Sequence, residues 1–211
     1  MSEIRPLFTD VLLPEDPSGL VLLLHGGAQQ GARPVDARSL SWRRGRALAR
    51  RLHPRLAAEG IGTVLLRYRV KGWNAATGVP PAPVEDARWA LAQLEQEFGL
   101  PVAILGHSMG ARTGVAVADH PCVRGVVALA PWLPADEPVG RLHGKVLRAA
   151  HGRHDRITSA RATRAFVERA SHIADARYTD MGPVGHYLLR DIGRWHDVAI
   201  AGIRETLVRT T

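Results

Sequence analysis

Short, almost wholly apolar runs alternate along the chain with segments in which apolar residues recur every three or four positions. A short apolar run is typical of a strand buried on both faces, whereas the wider spacing is typical of a helix with one buried face. The pattern predicts strands at 20–24, 61–66, 102–105, 125–129, 146–150 and 174–178, and helices at 40–58, 84–98, 111–119, 158–170 and 192–208. Alternation of the two favours an α/β fold, a mostly parallel sheet with helices on both faces.

Only a short segment precedes the first of these strands. Residues 7–13 alternate apolar and polar positions, which predicts a single short strand at the edge of the sheet in place of a longer antiparallel hairpin. The chain has 211 residues, of which 45% are hydrophobic, and this is enough for one sizeable core. The sequence therefore predicts one domain over 1–211 with a sheet of about six to seven strands.

Charge and composition narrow the classes of function. The net charge of +8 comes from scattered residues that are almost all arginine, and the densest cluster, within 43–55, alternates with leucines as on an amphipathic surface helix. No zinc module, aromatic-rich RNA motif or basic heptad region accompanies it, so nucleic-acid binding is not expected. Without a long apolar stretch or a signal core, we expect a cytoplasmic protein that does not enter the membrane. The single cysteine, Cys122, excludes an intramolecular disulfide and is interpreted as a bystander.

A Gly-x-Ser-x-Gly pentapeptide at 106–110 joins the predicted strand 102–105 to a helical segment. A serine on a sharp strand-to-helix turn adopts a strained backbone, and small neighbours make room for its hydroxyl to project from the end of the sheet. Taken alone, the pentapeptide also occurs in ordinary loops. Three further features follow in the order that the chemistry needs: His25-Gly26-Gly27 after an earlier strand, Asp155 after a later one, and His186 near the end.

With these motifs the chain resembles the α/β-hydrolase superfamily from Gly19 to its C-terminus, because that superfamily has its triad in the order Ser, Asp, His. The resemblance implies the α/β-hydrolase fold with Ser108 as nucleophile and His186 as the base that removes its proton. Asp155 would orient His186 and stabilise the imidazolium. His107 would pack beneath the turn in a structural role.

The tetrahedral intermediate of such a reaction carries an oxyanion, which two backbone N–H groups must stabilise. Met109 is expected to donate one, and Gly27 the other, with Ala28 as the alternative to Gly27. Asp175 and Asp180 are weaker candidates for the carboxylate, because neither follows the expected turn after a strand.

Neither a metal nor a cofactor is expected. His151, His154 and Asp155 contain metal-ligating side chains, but they share one short loop and no distant fourth ligand joins them. The chemistry expected of Ser108 and His186 also requires no cofactor.

The resemblance also indicates how open the site is. Only residues 131–144 separate two successive predicted strands at the point where many lipases carry a lid, so no cap domain is expected. Trp42, Trp73 and Trp132 lie on or beside the loops that would border the site, where they either bind the substrate or simply pack. Arg67 and Arg69 follow a strand that ends at the site, and a structural role is favoured over substrate binding.

These expectations define a small serine hydrolase. The favoured activity is cleavage of carboxylic esters with small or medium acyl groups through an acyl-enzyme, and acyl-thioester hydrolysis by the same mechanism is the close alternative. A non-catalytic ligand-binding protein with this fold is a third interpretation. The expected partner is a small-molecule ester or thioester, and the chain is expected to be a monomer or a homodimer.

Overall fold

Seven strands of the described residues form one sheet in the computed structural model, which describes residues 5–208. The elements are, in chain order, β1 (Leu7–Leu12), β2 (Gly19–Leu24), α1 (Leu40–Ala57), β3 (Ile61–Arg67), α2 (Ala82–Phe98), β4 (Val102–His107), α3 (Met109–Ala116), β5 (Val123–Leu129), a 3₁₀ turn (Gly140–Leu142), β6 (Val146–His151), α4 (Ala160–Ala170), β7 (Asp175–Asp180) and α5 (Ile192–Val208).

The strand order across the sheet is β1-β3-β2-β4-β5-β6-β7. β1 pairs antiparallel with β3, and all other neighbours are parallel. Every residue of β2 and β6 is buried, as expected of parallel strands covered on both faces. The predicted α/β fold and its short N-terminal edge strand are thus confirmed.

The helices divide between the two faces of the sheet. Gly202 of α5 packs on Val127, whereas Gly114 of α3 packs on Val126, and adjacent residues of a strand point to opposite faces. α1 contacts α5 and so belongs to the first face, whereas α2 contacts α3 and belongs to the second. On the first face, a groove lies between α1 and α5.

Three helices begin two residues away from their predicted starts, and one of them is α2, which begins at Ala82 and not at residue 84. α3 starts two residues early, at Met109, because the carbonyl of Ser108 accepts hydrogen bonds from Ala111 and Arg112 and so opens the helix. α4 starts two residues late, at Ala160, because Ser159 is its N-cap and accepts a hydrogen bond from Ala162 N–H at 3.1 Å.

The connection from β5 to β6 carries no cap domain, since the described residues 130–145 contain only the 3₁₀ turn. The carboxyl ends of the parallel strands are therefore bordered by loops. Within residues 5–208, no helix is both long and apolar enough to cross a bilayer.

Candidate active site

Ser108 lies at the turn between β4 and α3 with φ 56° and ψ −118°, a backbone conformation that non-glycine residues rarely adopt. The two glycines of the pentapeptide make this turn possible. A Cβ on Gly106 would lie 2.6 Å from the carbonyl carbon of Gly110, and a Cβ on Gly110 would lie 2.7 Å from the carbonyl oxygen of His25. The predicted strained turn is therefore present, with main chain packed directly on main chain.

Three side chains form a continuous hydrogen-bonded chain at this turn. Ser108 Oγ lies 3.0 Å from His186 Nε2, and His186 Nδ1 lies 2.7 Å from Asp155 Oδ2. With a neutral imidazole, Nδ1–H donates to the carboxylate and Nε2 accepts from the serine hydroxyl. All three side chains are almost fully buried. The structure thus brings together the predicted nucleophile, base and carboxylate.

Two loops pack against each other to place Asp155 beside His186. Arg153 N–H donates to the Gly182 carbonyl at 2.7 Å, and His154 N–H donates to the Val184 carbonyl at 3.2 Å. The loops approach so closely that a Cβ on Gly152 would lie 2.8 Å from Val184 Cγ2. Because β6 and β7 are adjacent and parallel, the loops that follow them leave the sheet side by side.

The Asp155 carboxylate accepts five hydrogen bonds. Its Oδ1 accepts from the backbone N–H groups of Ile157 at 2.8 Å and Thr158 at 2.9 Å. Its Oδ2 accepts from His186, from the Thr158 hydroxyl at 2.9 Å and from His151 Nε2 at 2.9 Å. Burial raises the pKa of Asp155, but the hydrogen bonds from His151, His186 and the backbone outweigh it and hold that pKa well below its usual range. Asp155 therefore stays ionised and fixed in orientation.

His151 is a contributor that the sequence suggested only as a metal ligand. It is the last residue of β6 and fully buried, and its Nδ1 accepts from the Thr163 hydroxyl at 2.8 Å while Nε2–H donates to Asp155. The other candidate carboxylates lie elsewhere: Asp175 binds Arg148 and Asp180 binds Arg153. The sequence feature that could have indicated this role is the position of His151 four residues before Asp155.

His107 fixes the backbone of the histidine loop. Its Nε2–H donates to the His186 carbonyl at 2.9 Å, and the two rings pack with their centroids 4.9 Å apart. Burial, followed by the charge of His186, lowers the pKa of His107 to about 4, so His107 is neutral at pH 7. The structural role predicted for His107 thus becomes specific: its ring positions His186 from below.

The backbone at Gly26-Gly27 is oriented by His25. The Nδ1–H of His25 donates to the Gly26 carbonyl at 2.6 Å, and its Nε2 accepts from Tyr68 N–H at 3.4 Å. Because the C=O and N–H of a planar trans peptide point in opposite directions, the Gly27 N–H points away from the His25 ring. The alternative donor, Ala28, already donates its N–H to the Lys71 carbonyl at 2.9 Å. The geometry therefore favours Gly27 over Ala28 as an oxyanion donor.

Comparison with known proteins assigns the chain to a family. The sequence profile of the alpha/beta hydrolase family matches residues 21–209. The chain belongs to the alpha/beta hydrolase family. No curated protein matches it in sequence.

Solved structures of similar fold include an α/β serine hydrolase without lid from Xanthomonas campestris, with 17% identity, TM-score 0.70, and 100% of this chain and 98% of that chain covered. A thermophilic esterase from Thermogutta terrifontis with propionate bound has 16% identity and TM-score 0.70, with 95% and 90% covered. A Butyrivibrio proteoclasticus protein with ferulic acid bound has 12% identity and TM-score 0.69, with 97% and 96% covered. At these identities the likeness shows a shared fold.

Within this hydrolase fold, two of the three predicted tryptophans pack together in the loops that border the turn at Ser108. Trp73 and Trp132 meet edge to face with centroids 6.1 Å apart, and the Arg112 guanidinium lies 4.3 Å and 4.5 Å from the two rings. Arg112 also pairs with the buried Glu137 at 2.6 Å. Trp132 N–H donates to the Ser108 carbonyl at 3.2 Å. This arrangement gives the site a rigid aromatic border.

Trp42 lies elsewhere. Its indole N–H donates to Thr9 Oγ1 of β1 at 3.0 Å, and the Arg67 guanidinium lies 6.0 Å from its ring centroid. These contacts assign Trp42 to packing against the edge strand, and its predicted role in substrate binding has no contact to support it. Arg69 pairs with the buried Asp86 at 3.2 Å, the structural role favoured for it.

Two side chains with metal-ligating atoms lie close to Cys122, which was interpreted as a bystander from the sequence. Its Sγ lies 3.2 Å from His120 Nδ1, and a carboxylate oxygen of Glu95 lies within 4.8 Å of both ligand atoms. Burial, followed by the charge of Glu95, raises the pKa of the Cys122 thiol to about 11, whereas a metal ligand must be a thiolate. Cys122 comes directly before the amino end of β5, whereas Ser108 follows the carboxyl end of β4. The two residues therefore lie at opposite ends of the parallel strands. The cluster is therefore no part of the candidate active site.

Proposed function

We propose that this protein is a serine hydrolase that cleaves carboxylic esters through an acyl-enzyme. The observation that carries the proposal is the chain Ser108–His186–Asp155, with its distances of 3.0 Å and 2.7 Å, at a strained turn beside backbone N–H groups. Family membership supports a hydrolase, and the similar folds include an esterase with propionate bound. A small or medium acyl group is the proposed substrate.

Acylation begins when Ser108 Oγ attacks the carbonyl carbon of the ester and its proton passes to His186 Nε2. The oxyanion then accepts hydrogen bonds from Gly27 N–H and Met109 N–H, the latter being the first N–H of α3. His186 gives its proton to the leaving oxygen as the carbon–oxygen bond breaks. The ionised Asp155 stabilises the imidazolium in between.

Deacylation repeats these steps with water as the nucleophile. His186 Nε2 removes a proton from water as its oxygen attacks the acyl carbon, and returns that proton to Ser108 Oγ when the acid leaves. The hydrogen bonds of His107 and His151 keep His186 and Asp155 in place during both halves of the reaction.

The test is covalent labelling with a fluorophosphonate, with the modified residue mapped by mass spectrometry. We expect the label on Ser108 in the parent, and its loss in Ser108→Ala and His186→Ala. Ser171→Ala and His143→Ala, both at exposed positions, are the matched controls and should label like the parent. Removal of a single triad member typically lowers kcat by about 10⁴-fold or more, so ester turnover should be lost together with the label.

Folded parent protein that takes no label and hydrolyses no ester would contradict the proposal and favour a ligand-binding role. Parallel assays on an oxygen ester and a thioester with the same acyl group separate the two hydrolytic activities. If kcat/KM is higher for the thioester, the thioester is the preferred substrate and the proposed roles of Ser108 and His186 are unchanged.

A further inference from the structure

A groove of about 600 Å³ lies between α1 and α5, on the face of the sheet that carries His107. Small-molecule pockets typically enclose about 300–1,000 Å³. Its apolar lining comes from β2, from both helices and from the loop after His186, and consists mainly of Leu23, Leu48, Leu188, Leu189, Ile192 and Trp195. The groove therefore has the size and the lining of a site for an apolar chain.

Two residues that line the groove are neighbours of Ser108 and His186. Gly26 lines it, and a Cβ built on Gly26 would lie 3.4 Å from Ser108 Cβ and 3.4 Å from His107 Nδ1. Tyr187 also lines it and packs edge to face on His186, with centroids 5.3 Å apart. The groove therefore adjoins Ser108 and His186 through Gly26 and Tyr187, although neither reactive residue lines it.

The rim of the groove exposes large apolar side chains. Tyr187 is 45% exposed, Leu189 67% and Ile192 46%. Contiguous exposed apolar surface beside a pocket is typical of a binding site. Contact with an apolar ligand would remove this surface from water.

The charges at the groove are all positive. Arg44 and Arg51 line it, and no lining residue carries a carboxylate. The Arg44 guanidinium lies 4.4 Å from the Tyr187 ring centroid. Among the described residues, no carboxylate forms an ion pair with either arginine. Burial lowers the pKa values of the lining histidines His25 and His107 to about 4. Burial, followed by the charge of Arg51, also lowers the pKa of the third lining histidine, His196, so the charge at neutral pH comes from the two arginines.

The other side of α1 shows the contrast. Arg46 and Arg50 both pair with the buried Asp10, at 3.0 Å and 2.9 Å. Arg55 lies on the same side of α1 as Arg44 and Arg51, and its partner at 2.7 Å is Asp197 of α5, outside the groove lining. The helix thus has carboxylate partners for arginines that point away from the groove. The unpaired arginines at the groove are available to a ligand.

We propose that the groove binds the apolar part of an ester substrate that carries an anionic group, a carboxylate or a phosphate, at Arg44 or Arg51. The inference rests on the proposed function and specifies its substrate class. The arginines are seven residues apart on one helix, about 10 Å along its axis, so Arg44 contacts the anion of a shorter chain and Arg51 that of a longer one. Arg44 is the nearer to His186 because it stacks on Tyr187.

The test compares esters that differ only in charge. Mono-4-nitrophenyl suberate carries a free carboxylate on its acyl chain, and its methyl ester is the neutral match. A second pair, 4-(carboxymethyl)phenyl octanoate and its methyl ester, carries the charge on the leaving group, where a methylene separates the carboxyl group from the ring and keeps the two leaving groups similar in reactivity. We expect the anionic member of at least one pair to have a kcat/KM about tenfold higher, since a charge-assisted hydrogen bond at a half-exposed site is worth about one factor of ten.

Arginine variants assign that preference. Arg44→Gln or Arg51→Gln should reduce the preference about fivefold to tenfold, and added salt should reduce it in the parent. The neutral esters report any effect that loss of the Arg44 stack on Tyr187 has on His186, so the preference is taken as the ratio of kcat/KM within each pair of esters. Arg43→Gln is the matched control, because Arg43 is an exposed arginine of the same helix outside this groove. It should retain the preference.

Hydrolysis of both members of both pairs at equal rates would overturn the proposal and leave the proposed function intact. So would an equal loss of preference in Arg43→Gln. If no ester is hydrolysed, the proposed function fails, and calorimetric binding of monomethyl suberate and dimethyl suberate to Ser108→Ala decides on the groove alone. Binding of the anion about tenfold tighter supports the site, and equal binding overturns it.

Discussion

Replacement of Ser108 by glycine should stabilise the fold relative to replacement by alanine. Both variants lack the hydroxyl and its 3.0 Å contact with His186, so they lose the same hydrogen bond. They differ in the Cβ, which alanine keeps at φ 56° and ψ −118°. The comparison therefore isolates the backbone strain at the turn.

The magnitude follows from two opposing terms. A non-glycine residue in such a sparsely populated region costs about 1–3 kcal/mol, and glycine avoids that cost. Glycine in turn loses more chain entropy on folding, which costs about 0.5–1 kcal/mol relative to alanine. The difference favours Ser108→Gly over Ser108→Ala by about 1 kcal/mol. For a chain of this length, that corresponds to a Tm higher by about 2–4 °C.

Thermal and urea unfolding of the two variants, followed by circular dichroism, would measure this difference, and the fluorophosphonate would establish that both are inactive. A glycine variant that is equally stable as the alanine variant, or less stable, would refute the idea that the turn stores strain in order to hold the Ser108 hydroxyl beside His186.

Two further predictions concern the loop at Gly27 and the buried histidines. Gly27→Ala should lower kcat about 10²- to 10³-fold, because its Cβ would lie 2.6 Å from the Lys71 carbonyl oxygen and displace the expected oxyanion donor. Gly31→Ala is the control and should retain activity, because the nearest atom to its Cβ would be 3.6 Å away. An equal loss of activity in both variants would count against Gly27 as the donor. His25 and His107 have pKa values of about 4 in the folded protein, whereas an exposed histidine has a pKa of 6.5. As pH falls, these two histidines are therefore protonated in the unfolded chain before they are protonated in the folded protein. The free energy of unfolding should therefore fall as pH drops from about 6.5 to 4, by about 1.4 kcal/mol per pH unit for each proton. His107→Gln should flatten this pH dependence, and an unchanged slope would be inconsistent with a neutral buried His107.

The strands were predictable because strands buried on both faces are nearly continuous apolar runs. The differences between prediction and structure lie at the ends of the elements, where side-chain hydrogen bonds determine which residue begins the element. Thr158, predicted as the start of α4, instead gives its N–H and hydroxyl to Asp155, so the helix begins after the cap at Ser159. Such a choice between two local hydrogen-bond partners is not visible in a periodic pattern.

The proximity of the candidate site residues was also predictable, since the carboxyl ends of parallel strands meet at one edge of the sheet. Their catalytic roles remain a prediction. Side-chain direction was harder to foresee: Ser41 and Trp42 are adjacent on α1, yet about 100° of rotation per residue places Ser41 at the groove and Trp42 against β1. The contact of His107 with the His186 carbonyl joins residues 79 positions apart, which no local pattern encodes.

The close approach of Gly110 to the end of β2 has a consequence for how this scaffold can change. A Cβ on Gly110 would lie 2.5 Å from the Leu24 carbonyl carbon, so the segments that carry Gly27 and Met109 meet there main chain on main chain. Any side chain at position 110 would push these two segments apart, so this position is closed to every residue except glycine. Variation of this scaffold is therefore expected in the loops that border the turn and not at the turn itself.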